Sequence, residues 1–182
     1  MANIEVYKAE IQRSFALVEP IATEAAVIFY ATLFEVNPET KPLFEHTDMD
    51  KQGEKLMKVL KLAVATLNNM DKLVRILQEL GRKHVSYGVK ANMYPSVAEA
   101  LLLTLEKGLG DECTPETKEA WGWVLKAISD ICIGAVKEID PTYGDETVAK
   151  DVKAEVEVPV TPETSEPERA PAAAQPERVE VR

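Results

Sequence analysis

Apolar residues recur along residues 4–139 at steps of three and four, and no stretch alternates apolar and polar positions as a half-buried strand does. The pattern predicts a succession of helices. The first covers Ile4 to Val18 with Phe15 and Val18 turned inward, and Pro20 opens a second that reaches Val36. Asn37-Pro38-Glu39 reads as N-cap, first-turn proline and first-turn acid of a short helix ending at Phe44. Beyond a polar loop at 45–50, a helix from Lys51 to Leu67 turns Gln52, Leu56, Val59, Ala63 and Leu67 to one side. The next, Asp71 to Tyr87, carries Leu73, Leu77 and Leu80 on its apolar face. Val97, Leu101, Leu105 and Leu109 align on a helix from Tyr94 to Leu109. Thr114 caps the last, with Pro115 and Glu116 in its first turn, and it runs through Trp121, Leu125, Ile128, Cys132 and Ala135 toward Ile139. About seven helices without a strand predict an all-α fold.

Two polar residues sit where this pattern calls for apolar ones. His84 is the next step after Leu80 on its face, and Gln52 lies one turn before Leu56. A histidine at such a place is either a satisfied boundary residue or a ligand, and a glutamine in a first turn is either exposed or aimed inward. The rest of the chain narrows the choice. It holds two histidines, His46 and His84, and no CxxC, HExxH, glycine-rich phosphate loop or acidic metal cluster. A neutral imidazole on an apolar wall suits an axial iron ligand: one nitrogen gives its lone pair while the other N–H is held by a carbonyl.

Composition changes after Tyr143. Residues 145–182 contain no Phe, Trp, Tyr or Gly but five prolines, and their ten acids and five bases carry −5 of the chain's net −10. Such a stretch buries too little apolar surface to offset its ordering entropy, and it is expected to be a disordered acidic, Pro/Ala-rich tail. Residues 1–144 then form one domain of ordinary size. The acidic balance argues against a nucleic-acid partner and against an anionic membrane surface. The longest apolar run, Ala25 to Ala31, falls far short of the roughly 18 residues of a membrane span, and no secretory signal pattern opens the chain, so the expected location is cytoplasmic. Cys113 precedes Pro115, and a helix from Pro115 to Cys132 would span about 26 Å, too far for a disulfide between the two cysteines; Cys132 reads as a small core residue and Cys113 as a loop thiol.

Several motifs together resemble the globin family: Leu33-Phe34 through Asn37-Pro38 to Pro42-Leu43-Phe44, Lys55-Leu56-Met57, Leu80-Gly81-Arg82-Lys83-His84, Tyr87-Gly88-Val89-Lys90, and Thr114-Pro115 followed by Ala120-Trp121. The likeness covers Ile4 to Val136 and is greatest to bacterial single-domain haemoglobins, neuroglobin-type globins and the globin module of flavohaemoglobins. It implies a three-over-three helical sandwich around haem b. His84 falls on the proximal iron ligand, and Phe44 and Val89 on apolar haem contacts. Tyr30, Gln52 and Leu56 fall on the distal positions over the iron. Tyr94 falls on a tyrosine of a proximal hydrogen-bond network. Lys55 and Lys83 fall near the haem propionates, or are plain solvated lysines. His46, two residues after Phe44, reads as exposed.

The resemblance implies a five-coordinate ferrous haem that binds dioxygen reversibly, with Tyr30 and Gln52 as hydrogen-bond donors to the partly negative ligand and high affinity as the outcome. Nitric oxide and carbon monoxide are further candidate ligands. The chain reads as no stand-alone enzyme, because no flavin or nicotinamide module follows residue 144 and the proximal glutamate of flavohaemoglobins aligns with Val136. Three alternatives stand beside the carrier: nitric oxide dioxygenation with a separate reductase, a haem-based gas sensor, and a haem-free interaction protein on the same frame. Oxygen storage, delivery and oligomeric state are left open.

Overall fold

Asn37, Asp48, Asn69 and Thr114 each present a side-chain oxygen to a backbone N–H two or three residues on, at 3.1, 3.2, 3.1 and 3.3 Å, and a helical segment begins after each of them. The computed structural model describes residues 4–145, in which six α-helices are joined by short 3-10 turns and no strand occurs. The helices are α1 (Ile4–Val18), α2 (Ala22–Val36), α3 (Met49–Ala65), α4 (Met70–Ser86), α5 (Tyr94–Leu109) and α6 (Pro115–Lys137). The predicted tail lies outside the described residues beyond Asp145.

The differences from the sequence expectation are local. Pro20 opens a 3-10 turn, Glu19–Ile21, and α2 proper starts at Ala22. The short helix at Pro38–Phe44 is 3-10, with Pro42 inside it lacking the N–H that an α-helical turn needs. The third helix stops at Ala65 instead of Leu67 because the Thr66 hydroxyl bonds back to the Leu62 and Ala63 carbonyls at 2.8 and 3.2 Å. Leu67 is nonetheless buried. Cys113 is a loop residue as expected, but a buried one, tucked into the core behind the turn Gly110–Glu112. Both cysteines are free.

Three packing relations position everything else. α2 lies against α5, α4 against α6, and α1 against α6. The core they enclose includes Ile11, Phe15, Phe29, Leu33, Leu77, Leu101, Trp121 and Cys132. The Trp121 indole N–H donates to the buried Ser14 hydroxyl at 2.9 Å, joining α6 to α1 at the centre. Ile4–Val36 has the length and apolarity of a membrane span, yet it is broken at Glu19–Ile21 and supplies core residues from both halves, as core helices do.

Gly81 makes the α4–α6 contact close. A β-carbon there would stand 2.5 Å from the Cys132 carbonyl oxygen and 2.8 Å from its Cα, so only hydrogen fits. α3, in contrast, has its main packing on α2 and α1. Gln52 on α3 and His84 on α4 are both half-exposed.

Candidate functional site

His84 stands in the last turn of α4, and its Nδ1 lies 2.7 Å from the Leu80 carbonyl oxygen one turn back. A carbonyl can only accept, so Nδ1 carries the hydrogen, and in the neutral ring Nε2 keeps an unshared pair. The His84 carbonyl accepts from the backbone N–H of Tyr87 at 3.1 Å and of Val89 at 3.0 Å, which folds the following segment back over the helix end. Tyr87 is 65% exposed, with its ring 6.5 Å from the imidazole. Tyr94, the first residue of α5, is buried with its ring 6.1 Å from that of His84. Its hydroxyl makes no hydrogen bond of proper geometry, although the Cys132 thiol and the Tyr143 hydroxyl are its polar neighbours. Burial pushes the Tyr94 hydroxyl far above the ordinary tyrosine range, and it pushes the Cys132 thiol up to about 11. Both groups are neutral at physiological pH.

A second group gathers on α2, the 3-10 segment and α3. Tyr30 is buried on α2, edge-on to Phe44 at 5.3 Å and tilted against Phe34 at 6.2 Å, while Phe34 and Phe44 stand 5.6 Å apart. Burial raises the Tyr30 hydroxyl, and the neighbouring Gln52 side chain offsets part of the rise. Tyr30 thus remains a protonated donor. Leu56, one turn beyond Gln52, is half-buried and lines a small apolar pocket with Phe15, Phe29, Leu101 and Trp121. His84 is not among the residues lining it.

The predicted residues thus fall into two clusters: Tyr30, Gln52 and Phe44 with Leu56 one turn away, and His84 with Tyr94 and Val89. Lys55 and Lys83 are exposed, and Lys83 Nζ lies 3.5 Å from Glu79. His46 is exposed, as expected. Val136 is buried, while the nearby Glu138 is exposed and faces Arg82 at 3.7 Å. Sequence reasoning missed Tyr143, whose hydroxyl donates to the Val89 carbonyl at 2.9 Å. A contact between residues 54 apart leaves no periodic trace; the only signal was an aromatic residue at the edge of the tail.

The family model described as Globin matches residues 27–132, more than half of the chain. The chain belongs to the globin family. This globin is 34% identical over 113 residues to a flavohemoprotein of Oceanobacillus iheyensis, a match covering 61% of this chain and 28% of the relative. A flavohemoprotein of Rhizobium meliloti is 32% identical over the same length and shares. One from Bacillus thuringiensis subsp. konkukian is 29% identical over 139 residues, covering 75% of this globin and 33% of the relative. The globin therefore spans a third or less of the length of these curated relatives. Family membership supports haem binding and a small gaseous ligand.

Proposed function

We propose that this globin binds haem b through His84 and holds dioxygen reversibly and tightly by means of Tyr30 and Gln52. The observation that carries the reading is the 2.7 Å hydrogen bond from His84 Nδ1 to the Leu80 carbonyl. It leaves Nε2 with a free pair on a half-exposed face, the arrangement a metal-ligating histidine requires. The residues around it fit the group in two further respects. Gln52 on α3 and His84 on α4 are both half-exposed, and Phe44, Leu56 and Val89 are partly buried apolar residues on the flanking segments. These three would contact the macrocycle, and the exposed Lys55 and Lys83 would meet its propionates. Haem, when bound, supplies an iron that takes a diatomic gas reversibly.

The remaining chemistry belongs to side chains. Burial keeps the Tyr30 hydroxyl protonated, and Gln52 stands beside it. Each is a donor for a ligand that carries partial negative charge, worth roughly 1.5–3 kcal/mol. At 1.4 kcal/mol per tenfold, the pair slows release by roughly a hundredfold or more. Phe44 and Leu56 keep water away from the ligand. With Gln52 in the distal place and His46 exposed, no second histidine would compete for the site, and a reduced haem held by His84 would be five-coordinate.

Stopped-flow oxygen release from the haem-loaded protein tests this reading. Tyr30→Phe is expected to accelerate release about tenfold or more; an unchanged rate would remove the hydrogen-bond account. A second reading, nitric oxide dioxygenation with a separate reductase, is favoured by the likeness to flavohemoproteins. Nitrate formation with a reductase supplied distinguishes the two. The same pocket would admit nitric oxide and carbon monoxide.

A further inference from the structure

The turn that follows α6 is built tightly and lies against the segment that follows α4. Asp140 organises it: its carboxylate accepts the Thr142 backbone N–H at 3.0 Å and the Thr142 hydroxyl at 2.6 Å, and its carbonyl accepts the Tyr143 N–H at 3.1 Å. Two contacts then reach across. The Tyr143 hydroxyl donates to the Val89 carbonyl at 2.9 Å. Gly144, at φ +87°, sits so close to Ala91 that a β-carbon on it would stand 2.8 Å from the alanine methyl. Both conditions select glycine there.

These contacts continue to the imidazole. The Val89 peptide N–H donates to the His84 carbonyl at 3.0 Å, while the Val89 carbonyl is held by Tyr143. The His84 ring in turn is held by the Leu80 carbonyl. One residue, Val89, thus joins the end of α4 to the turn after α6. Tyr143 also stands beside the buried Tyr94 hydroxyl, which has no partner of proper geometry and lies next to His84. The charged link across the same two helices, Arg82 to Glu138 at 3.7 Å, is exposed and holds them weakly.

The geometry points to Tyr143 as a positioning residue for His84: through the Val89 peptide it fixes the end of α4 and so the orientation of the imidazole. The inference rests on the haem reading of His84 for its functional consequence, and its mechanical part stands apart from haem. Tyr143→Phe removes one hydroxyl and keeps the ring. In the full chain, hydrogen exchange of the Val89 amide is expected to accelerate about tenfold in this variant while the thermal midpoint changes little. In the haem-loaded ferrous protein, the iron–histidine stretching band is expected to shift, a response that a purely structural role would not give. Gly144→Ala, which lifts the turn from Ala91 and leaves Tyr143 intact, is expected to shift the band the same way. Unchanged exchange, or an unmoved band, in Tyr143→Phe overturns the positioning role while leaving the haem reading in place. A wild-type chain that takes up no haem overturns that reading, and the positioning role falls with it.

Discussion

Tyr30 and Gln52 are polar neighbours, and the Gln52 side chain offsets part of the rise that burial gives the Tyr30 hydroxyl. Their substitutions are therefore expected to be coupled. Gln52→Leu should speed oxygen release, by less than Tyr30→Phe does, and the double variant should fall short of the product of the two single effects. A product that is fully multiplicative in stopped-flow traces would mean the two donors are independent. At this scale the sequence was uneven. His84 and Gln52 stood out because each is polar on an apolar helical face. Tyr30 did not, because it lies within the run Ala25 to Ala31 and reads there as one more core aromatic; the family resemblance alone singled it out. Tyr143 was invisible because what matters is its contact with Val89, far away in the chain.

Helix contacts decide how well these residues are held. Gly81 sits one turn before His84's following segment and lets α4 lie against the Cys132 backbone. Gly81→Ala puts a methyl group into backbone atoms that cannot yield as a flexible side chain would. It is expected to destabilise the fold by about 2 kcal/mol in denaturant unfolding and to weaken haem retention. An unaltered midpoint would mean the α4–α6 contact is looser than described. A polar cluster at the other end joins α1 to α6: Glu10 accepts from Arg13 at 2.8 and 2.9 Å and from the Thr117 hydroxyl at 2.5 Å. Arg13 above all, then Thr117, holds the Glu10 carboxyl below its usual range, against the opposing effect of burial. A carboxylate with a lowered folded value stabilises fully above its unfolded value near 4.3, and the contribution disappears as pH falls through the folded value. Glu10→Gln is thus expected to lower the thermal midpoint at pH 7, with the gap to the wild type narrowing below about pH 4. A gap that stays constant with pH would assign the effect to packing. Elements were largely legible: α1 ends, and α5 begins and ends, as the pattern predicts, and the caps at Asn37 and Thr114 form. The helix ends that moved were set by single groups with no periodic signature, such as the Thr66 hydroxyl and the ring of Pro42.

Across the whole molecule, the all-α pattern and the globin motifs led to the same fold because helical spacing and pairwise helix packing carry the same information. Among the described residues the buried apolar core is drawn from residues 11–136, so a chain ending at Gly144 is expected to keep its thermal midpoint within about 3 °C. A larger loss would extend the folded unit past that point. Half of the net charge of −10 is carried by residues 145–182, so the same truncation tests whether an external reductase recognises the acidic segment: an unchanged reduction rate would exclude it. The central claim is that His84 holds haem in the space between α3 and α4. Its most direct test is the absorption spectrum of the purified protein with haem added, first ferric and then dithionite-reduced, beside His84→Ala. The account predicts a strong Soret band, a five-coordinate reduced form that takes up oxygen, and loss or clear alteration of both in the variant. Absence of a Soret band in the intact chain, or a spectrum indifferent to the loss of His84, would contradict it.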